Sequence, residues 1–223
     1  MTEDKLYQMV KVHKDMQTAQ HLLDYFSGNT IKRNGNLRIE IDTIYGDFGK
    51  TDTRAVTIHK GFHRPFSFIP ACFKGMTTEK KFRIKKKIKF TESCKYNLNN
   101  NDQYDWNKLF GVCFGIFGIH KNSARFVWRY DPYYEVIEIG VYYYKNGKRS
   151  AQRVFFAQVG EEREYEIEVF TDTDGTYITF YIDETHLDIE KFEVNSKVTF
   201  GCGLYFGGNR RAPQDISIYM ENN

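Results

Sequence analysis

The feature that most limits the possible folds is a succession of short strand-like segments separated by turn dipeptides, with no helices between them. Asn146-Gly147 and Asp174-Gly175 are the clearest turns, because these dipeptides tolerate the positive φ angles of tight hairpins. Regular short strands without intervening helices predict a mostly β fold, an antiparallel β-sandwich or jelly roll. The predicted strands are Gly111–Ile119, Ser123–Tyr130, Glu135–Tyr144, Gln152–Val159, Glu164–Phe170, Tyr177–Ile182, Lys197–Phe206 and Ile216–Met220.

Two aromatic-rich stretches organise this pattern. Asp105–Tyr130 and Gly201–Met220 both join apolar runs to clusters of Gly, Asn and Arg. Aromatic residues suit a pleated, half-buried surface, and they make up 17% of the chain. We therefore expect the two stretches to contribute neighbouring strands to one aromatic-rich sandwich.

The first third of the chain has a different character. Apolar residues recur at helical spacing over Asp15–Phe26, followed by a Ser-Gly-Asn stop signal, which predicts a short helix. Asn34-Gly35 then predicts a hairpin within Thr30–Ile44. We divide the chain into an N-terminal helical attachment segment at 1–29 and a β-sandwich domain at 30–223. The helix either packs on its own sandwich or anchors the chain to a partner.

Two further segments precede the regular strands. Gly61–Phe73 holds two prolines in an apolar run, which argues against a central strand. Lys80–Phe90 alternates apolar residues with lysines and one arginine, so the basic side chains share one face of a strand. That basic stripe is either a solvated surface that discourages edge pairing or a contact for an anionic glycan or phosphate polymer.

Composition and charge exclude several classes of function. The formal net charge is +3, too small to indicate nucleic-acid binding by itself. The four cysteines are widely spaced and predict reduced thiols rather than a zinc or redox motif. There is no signal peptide and no run long enough to span a bilayer, so we expect no membrane contact. We assign no cofactor and no metal, because the Asp172–Gly175 segment resembles a plain hairpin turn more than a calcium loop.

The candidate binding residues come from strand alternation. In Ser123–Tyr130 and Glu135–Tyr144, the aliphatic residues fall on one side and a polar and aromatic set on the other. Tyr rings and Arg guanidinium groups suit a sugar, whose apolar face stacks while its hydroxyls accept hydrogen bonds, and equally suit a protein interface. Each residue taken singly is also explained by cross-strand pairing. The candidate set on this face is Arg125, Arg129, Glu138, Tyr142 and Tyr144.

A second candidate region is the loop GLYFGGNRRAP. Gly207-Gly208 permits a bulge or a close backbone approach. Asn209 and Arg210 then lie at the mouth of the sandwich, where loops on a rigid scaffold often bind ligands. We add both residues to the candidate ligand-binding set.

Catalytic assignments are weaker. Glycoside hydrolysis requires paired carboxylates, for which Glu138 and Glu166 are candidates. A lyase requires a charge neutraliser, a base and an acid, which His120, Arg125 and Tyr205 can supply. No motif fixes either set, so we assign no catalytic residue.

The order DWNKLFG, HKNSARFVWRY, YYYKNGKR and YFGGNRRAPQDISIYM resembles uncharacterised β-sandwich proteins of gut Bacteroidota and their phages, over about Lys80–Met220. Their general type is similar to the concanavalin A-like or laminin G-like jelly roll. Alginate-lyase jelly rolls are similar in placing a Tyr-containing strand near the C-terminus. Their Gln-Ile-His strand corresponds to Gly118-Ile119-His120 here, where the Gln is missing.

The resemblance implies a non-catalytic structural or adhesive module of a phage virion, in a head or tail fibre or a decoration protein. Its partners would be other virion proteins, a second copy of the chain, or a surface glycan. The alternative is a carbohydrate-active enzyme of the polysaccharide lyase type on the same fold.

Overall fold

The computed structural model describes residues 54–65, 76–115, 118–194 and 199–222. These residues form two six-stranded antiparallel sheets that pack face to face, a β-sandwich of the jelly-roll type, as the turn pattern predicts. The predicted helix at Asp15–Phe26 and hairpin at Thr30–Ile44 lie outside the described residues. The proposed boundary between 1–29 and 30–223 therefore stays a prediction.

Each sheet mixes strands from distant parts of the chain. Sheet I has the order β1-β12-β3-β8-β9-β10 and sheet II the order β2-β11-β4-β5-β6-β7. The strands of sheet I are β1 (Arg54–Ile58), β3 (Lys81–Phe90), β8 (Glu162–Thr171), β9 (Thr176–Ile182), β10 (Thr185–Phe192) and β12 (Ile216–Asn222). Those of sheet II are β2 (Met76–Thr77), β4 (Asn107–Phe114), β5 (Ser123–Asp131), β6 (Val136–Lys145), β7 (Lys148–Ala157) and β11 (Thr199–Cys202).

Two-residue hairpins close neighbouring strands in both sheets. Asn146 and Gly147 have φ angles of 51° and 80° between β6 and β7, which confirms the predicted turn. Asp183 and Glu184, between β9 and β10, also have positive φ angles, of 49° and 64°. Asp-Glu is not a usual dipeptide for this conformation, and β10 is therefore absent from the predicted strands.

Three predicted strands differ from the structure by more than two residues at one or both ends. The segment predicted as Gly111–Ile119 is β4, which ends at Phe114, and Gly118–His120 forms a 3-10 turn. Strand β11 ends at Cys202, after which Tyr205 makes one isolated bridge to Lys108. Strand β7 begins at Lys148, four residues before the predicted start. In each case the hydrophobic pattern locates the strand but not its ends.

Aromatic rings fill the space between the sheets. Phe126 of β5 meets Tyr165 and Phe180 of sheet I edge-on, with ring centroids 5.3 and 4.8 Å apart. Trp128 on the same strand is fully buried. Full burial of one such side chain contributes roughly 1.5–3 kcal/mol, so this layer fixes which side of β5 faces inward.

The cysteines of the described residues belong to this packing. Cys94, Cys113 and Cys202 are buried and reduced, as the sequence predicts. Burial and loss of hydration raise the pKa of the Cys94 thiol to about 12, so it stays protonated. Cys113 and Cys202 pack with Phe200 on the outer side of sheet II.

No helix in the described part of the chain has the length and apolar content needed to cross a bilayer.

Candidate functional site

The candidate site lies on the outer face of sheet II. Strand pairing sets Arg125 opposite Tyr142 and Arg129 opposite Glu138 on β5 and β6. The inward residues of the same strands lie in the core. The predicted assignment of faces is therefore confirmed for these two strands.

Two glycines let large side chains lie flat on this face. A Cβ at Gly111 would come within 2.5 Å of the Arg125 Cγ atom and 2.3 Å of the Ala124 carbonyl oxygen. A Cβ at Gly140 would come within 3.1 Å of the Trp106 ring. A Cβ atom at Gly111 or Gly140 would be closer to its neighbours than carbon atoms normally approach. Glycine at these two positions therefore leaves the space that Arg125 and Trp106 occupy.

A pocket of about 300 Å³ opens where β4, β5, β6 and β7 meet the segment after β11. Of the predicted ligand-binding residues, Arg125, Tyr142, Tyr144 and Asn209 line it. His120 and Tyr205, the other two members of the lyase set, line it as well. Lys108 and Arg149 also line it, and the sequence analysis missed both. We call this cavity the sheet II pocket.

The sheet II pocket is cationic. Within the described ranges, no ion pair joins Lys108, Arg125 or Arg149 to a carboxylate. No Asp or Glu is among the described residues that line it, and the nearby Asp105 opposes only part of the positive charge at Lys108. The remaining positive charge is available to an anionic ligand.

Arg125 is the most buried cation of the pocket, with 5% of its surface exposed. Its Nη2 donates to the Ile119 carbonyl and the Ser123 hydroxyl, each at 3.3 Å. Its Nε is buried and has no hydrogen-bond partner among the described residues, and an unsatisfied buried donor costs about 1–3 kcal/mol.

Lys108 also lines the pocket. Its Nζ donates to the Trp106 carbonyl at 2.8 Å and to the Gly207 carbonyl at 3.2 Å. Burial, and then repulsion from Arg125 and Arg149, lower the pKa of Lys108 to about 8. At pH 7 Lys108 is protonated in most molecules, and a bound anion would stabilise its positive charge.

Aromatic rings also line the pocket. The guanidinium carbon of Arg125 lies 5.2 Å from the Tyr142 ring and 5.8 Å from the Tyr144 ring, within the range of cation–π attraction. His120 packs edge-on against Tyr144 with centroids 5.3 Å apart. Desolvation raises the pKa of Tyr142 to about 12, so its phenol remains a hydrogen-bond donor at neutral pH.

The remaining predicted residues lie outside the pocket. Glu138 accepts from Arg129 Nε at 2.5 Å and from Arg153 Nη1 at 2.6 Å, so a buried carboxylate holds one partly exposed and one exposed arginine. Arg210 pairs with Asp102 at 2.7 Å. These ion pairs occupy the two carboxylates and part of the hydrogen-bonding capacity of each arginine.

The carboxylate pair considered for hydrolysis does not form. Glu138 lies on β6 in sheet II, and Glu166 lies on β8 in sheet I. Two acids on different sheets cannot flank one glycosidic bond, so this pairing is wrong.

The basic stripe of β3 meets an acidic stripe on β8. Arg83, Lys85, Lys87 and Lys89 stand opposite Glu168, Glu166, Glu164 and Glu162 in register. Lys85 Nζ lies 2.5 Å from Glu164, and Arg83 pairs with both Glu166 and Glu168. Because these four cations face acids, this surface resembles a solvated charge ladder rather than a polyanion contact. The predicted role in discouraging edge pairing is wrong, since β3 lies inside the sheet between β12 and β8.

The Asp172–Gly175 segment is a hairpin connection between β8 and β9. The Asp174 carboxylate accepts from Tyr177 at 2.8 Å and from Lys191 at 2.6 Å. Among the described residues, no group of three His, Cys, Asp or Glu is arranged to hold a metal ion.

No protein-family model and no curated protein matches the sequence. Solved structures match the fold. The alginate lyase AlyC3 is 11% identical over 76% of this chain and 69% of its own, with a TM-score of 0.48. An alginate lyase from Klebsiella pneumoniae is 9% identical over 62% of this chain and 56% of its own, with a TM-score of 0.42. A protein of unknown function from Saccharomyces cerevisiae is 8% identical over 65% of this chain and 67% of its own, with a TM-score of 0.43.

Proposed function

We propose that this protein is a β-sandwich module that binds an anionic carbohydrate in the sheet II pocket. The observation that carries the proposal is the convergence of Lys108, Arg125 and Arg149 on one cavity, where none of the three forms an ion pair with a described carboxylate and Asp105 is the acid that acts on Lys108 from outside the lining. The tyrosine rings in the same cavity supply the apolar surface on which a sugar stacks.

The donors favour a carboxylate or sulfate on the sugar. Guanidinium groups match planar anions with two parallel hydrogen bonds, and Arg125 and Arg149 both line the pocket. Arg125 is already fixed by its bonds to Ile119 and Ser123. Little side-chain freedom is lost on binding, which favours affinity.

The test is a titration calorimetry panel with a polyuronate, a sulfated glycan and a neutral glucan. We expect the wild-type protein to bind one of the two anionic polymers and not the neutral one, with affinity that falls as salt increases. Arg149→Gln, an exposed pocket residue, should weaken binding about tenfold, since hydrogen bonds to charged groups contribute roughly 1.5–3 kcal/mol. The matched control is Lys85→Gln on the sheet I ladder, with unchanged affinity. Equal binding of the neutral glucan, or equal loss in both variants, would refute the proposal.

A second candidate function is β-elimination of a uronate polymer. It is favoured by the presence of His120, Arg125 and Tyr205 around one cavity. Arg125 would neutralise the carboxylate, His120 would remove the proton on the adjacent carbon, and Tyr205 would protonate the departing glycosidic oxygen. One C–H and one C–O bond break, and a C=C bond forms.

Incubation with the bound polyuronate separates the two functions. A lyase produces unsaturated ends that absorb ultraviolet light, and His120→Ala would abolish them while binding persists. Binding without such products favours the non-catalytic module.

Display of the module on a phage virion, as a head, tail-fibre or decoration component that forms an oligomer, remains a prediction from the resemblance. Detection of the protein in purified particles would support it. Light scattering of the full chain and of a variant lacking residues 1–29 would test whether that segment drives assembly.

A further inference from the structure

The outer face of sheet II continues beyond the pocket along β5. Arg125 and Arg129 lie on the same face, four residues apart, which is about 13 Å along a strand. Val127 between them is fully buried. The two arginines therefore mark two positions along one surface.

The region around Arg129 is a built surface. Its guanidinium carbon lies 4.3 Å from the Trp106 ring and 5.7 Å from the Tyr104 ring. Its Nη1 donates to the Tyr104 carbonyl at 2.7 Å, and Glu138 holds its Nε. Arg129 is thus fixed between aromatic rings, and Tyr104 is 62% exposed.

Lys108 joins this region to the pocket. It lines the pocket, and its Nζ donates to the carbonyl of Trp106 at 2.8 Å. Gly140 keeps the Trp106 ring close to the sheet. A chain leaving the pocket can therefore follow the face without crossing a large side chain of β5.

We propose that Tyr104, Trp106 and Arg129 form a second sugar subsite that takes the next part of a glycan anchored in the sheet II pocket. This inference rests on the proposed function. Its chemistry differs from that of the pocket, because Glu138 neutralises Arg129. The second subsite binds a sugar ring by stacking and by hydroxyl hydrogen bonds, whereas the pocket binds the anionic group.

The experiment compares the affinities of the uronate monomer, dimer and tetramer, measured by ligand-detected NMR and calorimetry. For the wild type, we expect affinity to rise with length. Tyr104→Ala should weaken the tetramer about threefold to tenfold, the usual range for one aromatic stacking contact, and leave the monomer unchanged. Arg129→Lys, which keeps a cation beside Glu138, should have the same selective effect.

Tyr219→Ala is the matched control, because Tyr219 lies on the outer face of sheet I under Lys89. It should leave every affinity unchanged. Equal effects of Tyr104→Ala on monomer and tetramer, or none on either, would overturn the second subsite while leaving the pocket intact. A wild-type protein that binds neither a uronate nor a sulfated sugar of any length would overturn the proposed function and the subsite with it.

Discussion

The two outer faces of the sandwich use the same residue types to opposite effect. On sheet I, register places four cations of β3, Arg83, Lys85, Lys87 and Lys89, opposite glutamates of β8. On sheet II, Arg125 stands opposite Tyr142 and Lys108 opposite Val127, so no acid neutralises them across the strands. Cross-strand pairing, rather than the number of basic residues, decides which face is available to an anion.

Buried carboxylates sharpen this difference. Glu138 on sheet II is 3% exposed and held by two arginines. Glu168 on sheet I is also buried, and desolvation raises its pKa to about 7 despite the nearby Arg83. The first is a charged structural centre, while the second is protonated in about half of the molecules at neutral pH.

The largest expected effect follows from removing Glu138. Glu138→Ala leaves Arg129 and Arg153, which are partly solvent-exposed, without their shared partner, and hydrogen bonds to charged groups typically contribute about 1.5–3 kcal/mol. We expect the free energy of unfolding, measured by urea denaturation, to fall by that amount. Glu164→Ala on the partly exposed ladder should cost less than about 1 kcal/mol. Similar losses in both variants would contradict the distinction between the faces.

Glu168→Gln should change how stability depends on pH. The folded pKa of Glu168, about 7, lies above its ordinary value of 4.5. The contribution of protonated Glu168 to the free energy of unfolding is therefore fully present below pH 4.5, and it is lost as the pH rises through 7. Glutamine stays neutral at every pH. The free energy of unfolding of the variant should therefore rise by about 2 kcal/mol relative to the wild type between pH 5 and pH 8, since one pKa unit corresponds to about 1.4 kcal/mol and partial exposure to solvent reduces the effect. Thermal or urea unfolding across this range measures the gain, and parallel stability profiles would refute the pKa assignment.

Lys108→Gln should remove the alkaline pH dependence of glycan affinity. An anion beside Lys108 raises its pKa from about 8, so binding takes up a proton above that pH. Wild-type affinity should be steady below pH 7 and fall about tenfold by pH 9. Arg125, Arg149, Asp105, Tyr142 and Tyr205 surround Lys108 and are kept in the variant. Calorimetry at several pH values should show a flat profile for Lys108→Gln, and a retained slope would assign the proton to another group.

The smallest effect is expected on the ladder. Lys85→Gln removes two partly exposed ion pairs, a close one with Glu164 and a long one with Glu166, together worth less than about 1 kcal/mol. Urea denaturation should show a loss within that limit. A larger loss would mean that the ladder is a structural centre comparable to Glu138.

Alternation along the sequence predicts much of this arrangement, because β5 and β6 are regular and one side of each is apolar. Arg125, Tyr142 and Tyr144 were found in this way. Lys108 was missed because it precedes the predicted start of its strand and a bulge follows it. Arg149 was missed because β7 begins earlier than its apolar residues indicate.

The sequence does not predict which strands belong to the same sheet. Glu138 and Glu166 have similar local patterns, yet long-range pairing places them on separate sheets. In the same way, the acids that neutralise the β3 stripe lie some eighty residues further along the chain. Local periodicity assigns a side chain to a face and says nothing about its partner on the next strand.

The most direct test of the anionic-ligand pocket is NMR of the arginine Nε–Hε groups during titration with a polyuronate. We expect the resonances of Arg125 and Arg149 to shift and that of Arg83 on sheet I to stay unchanged. Shifts confined to Arg83, or binding without a shift at Arg125 and Arg149, would contradict the account.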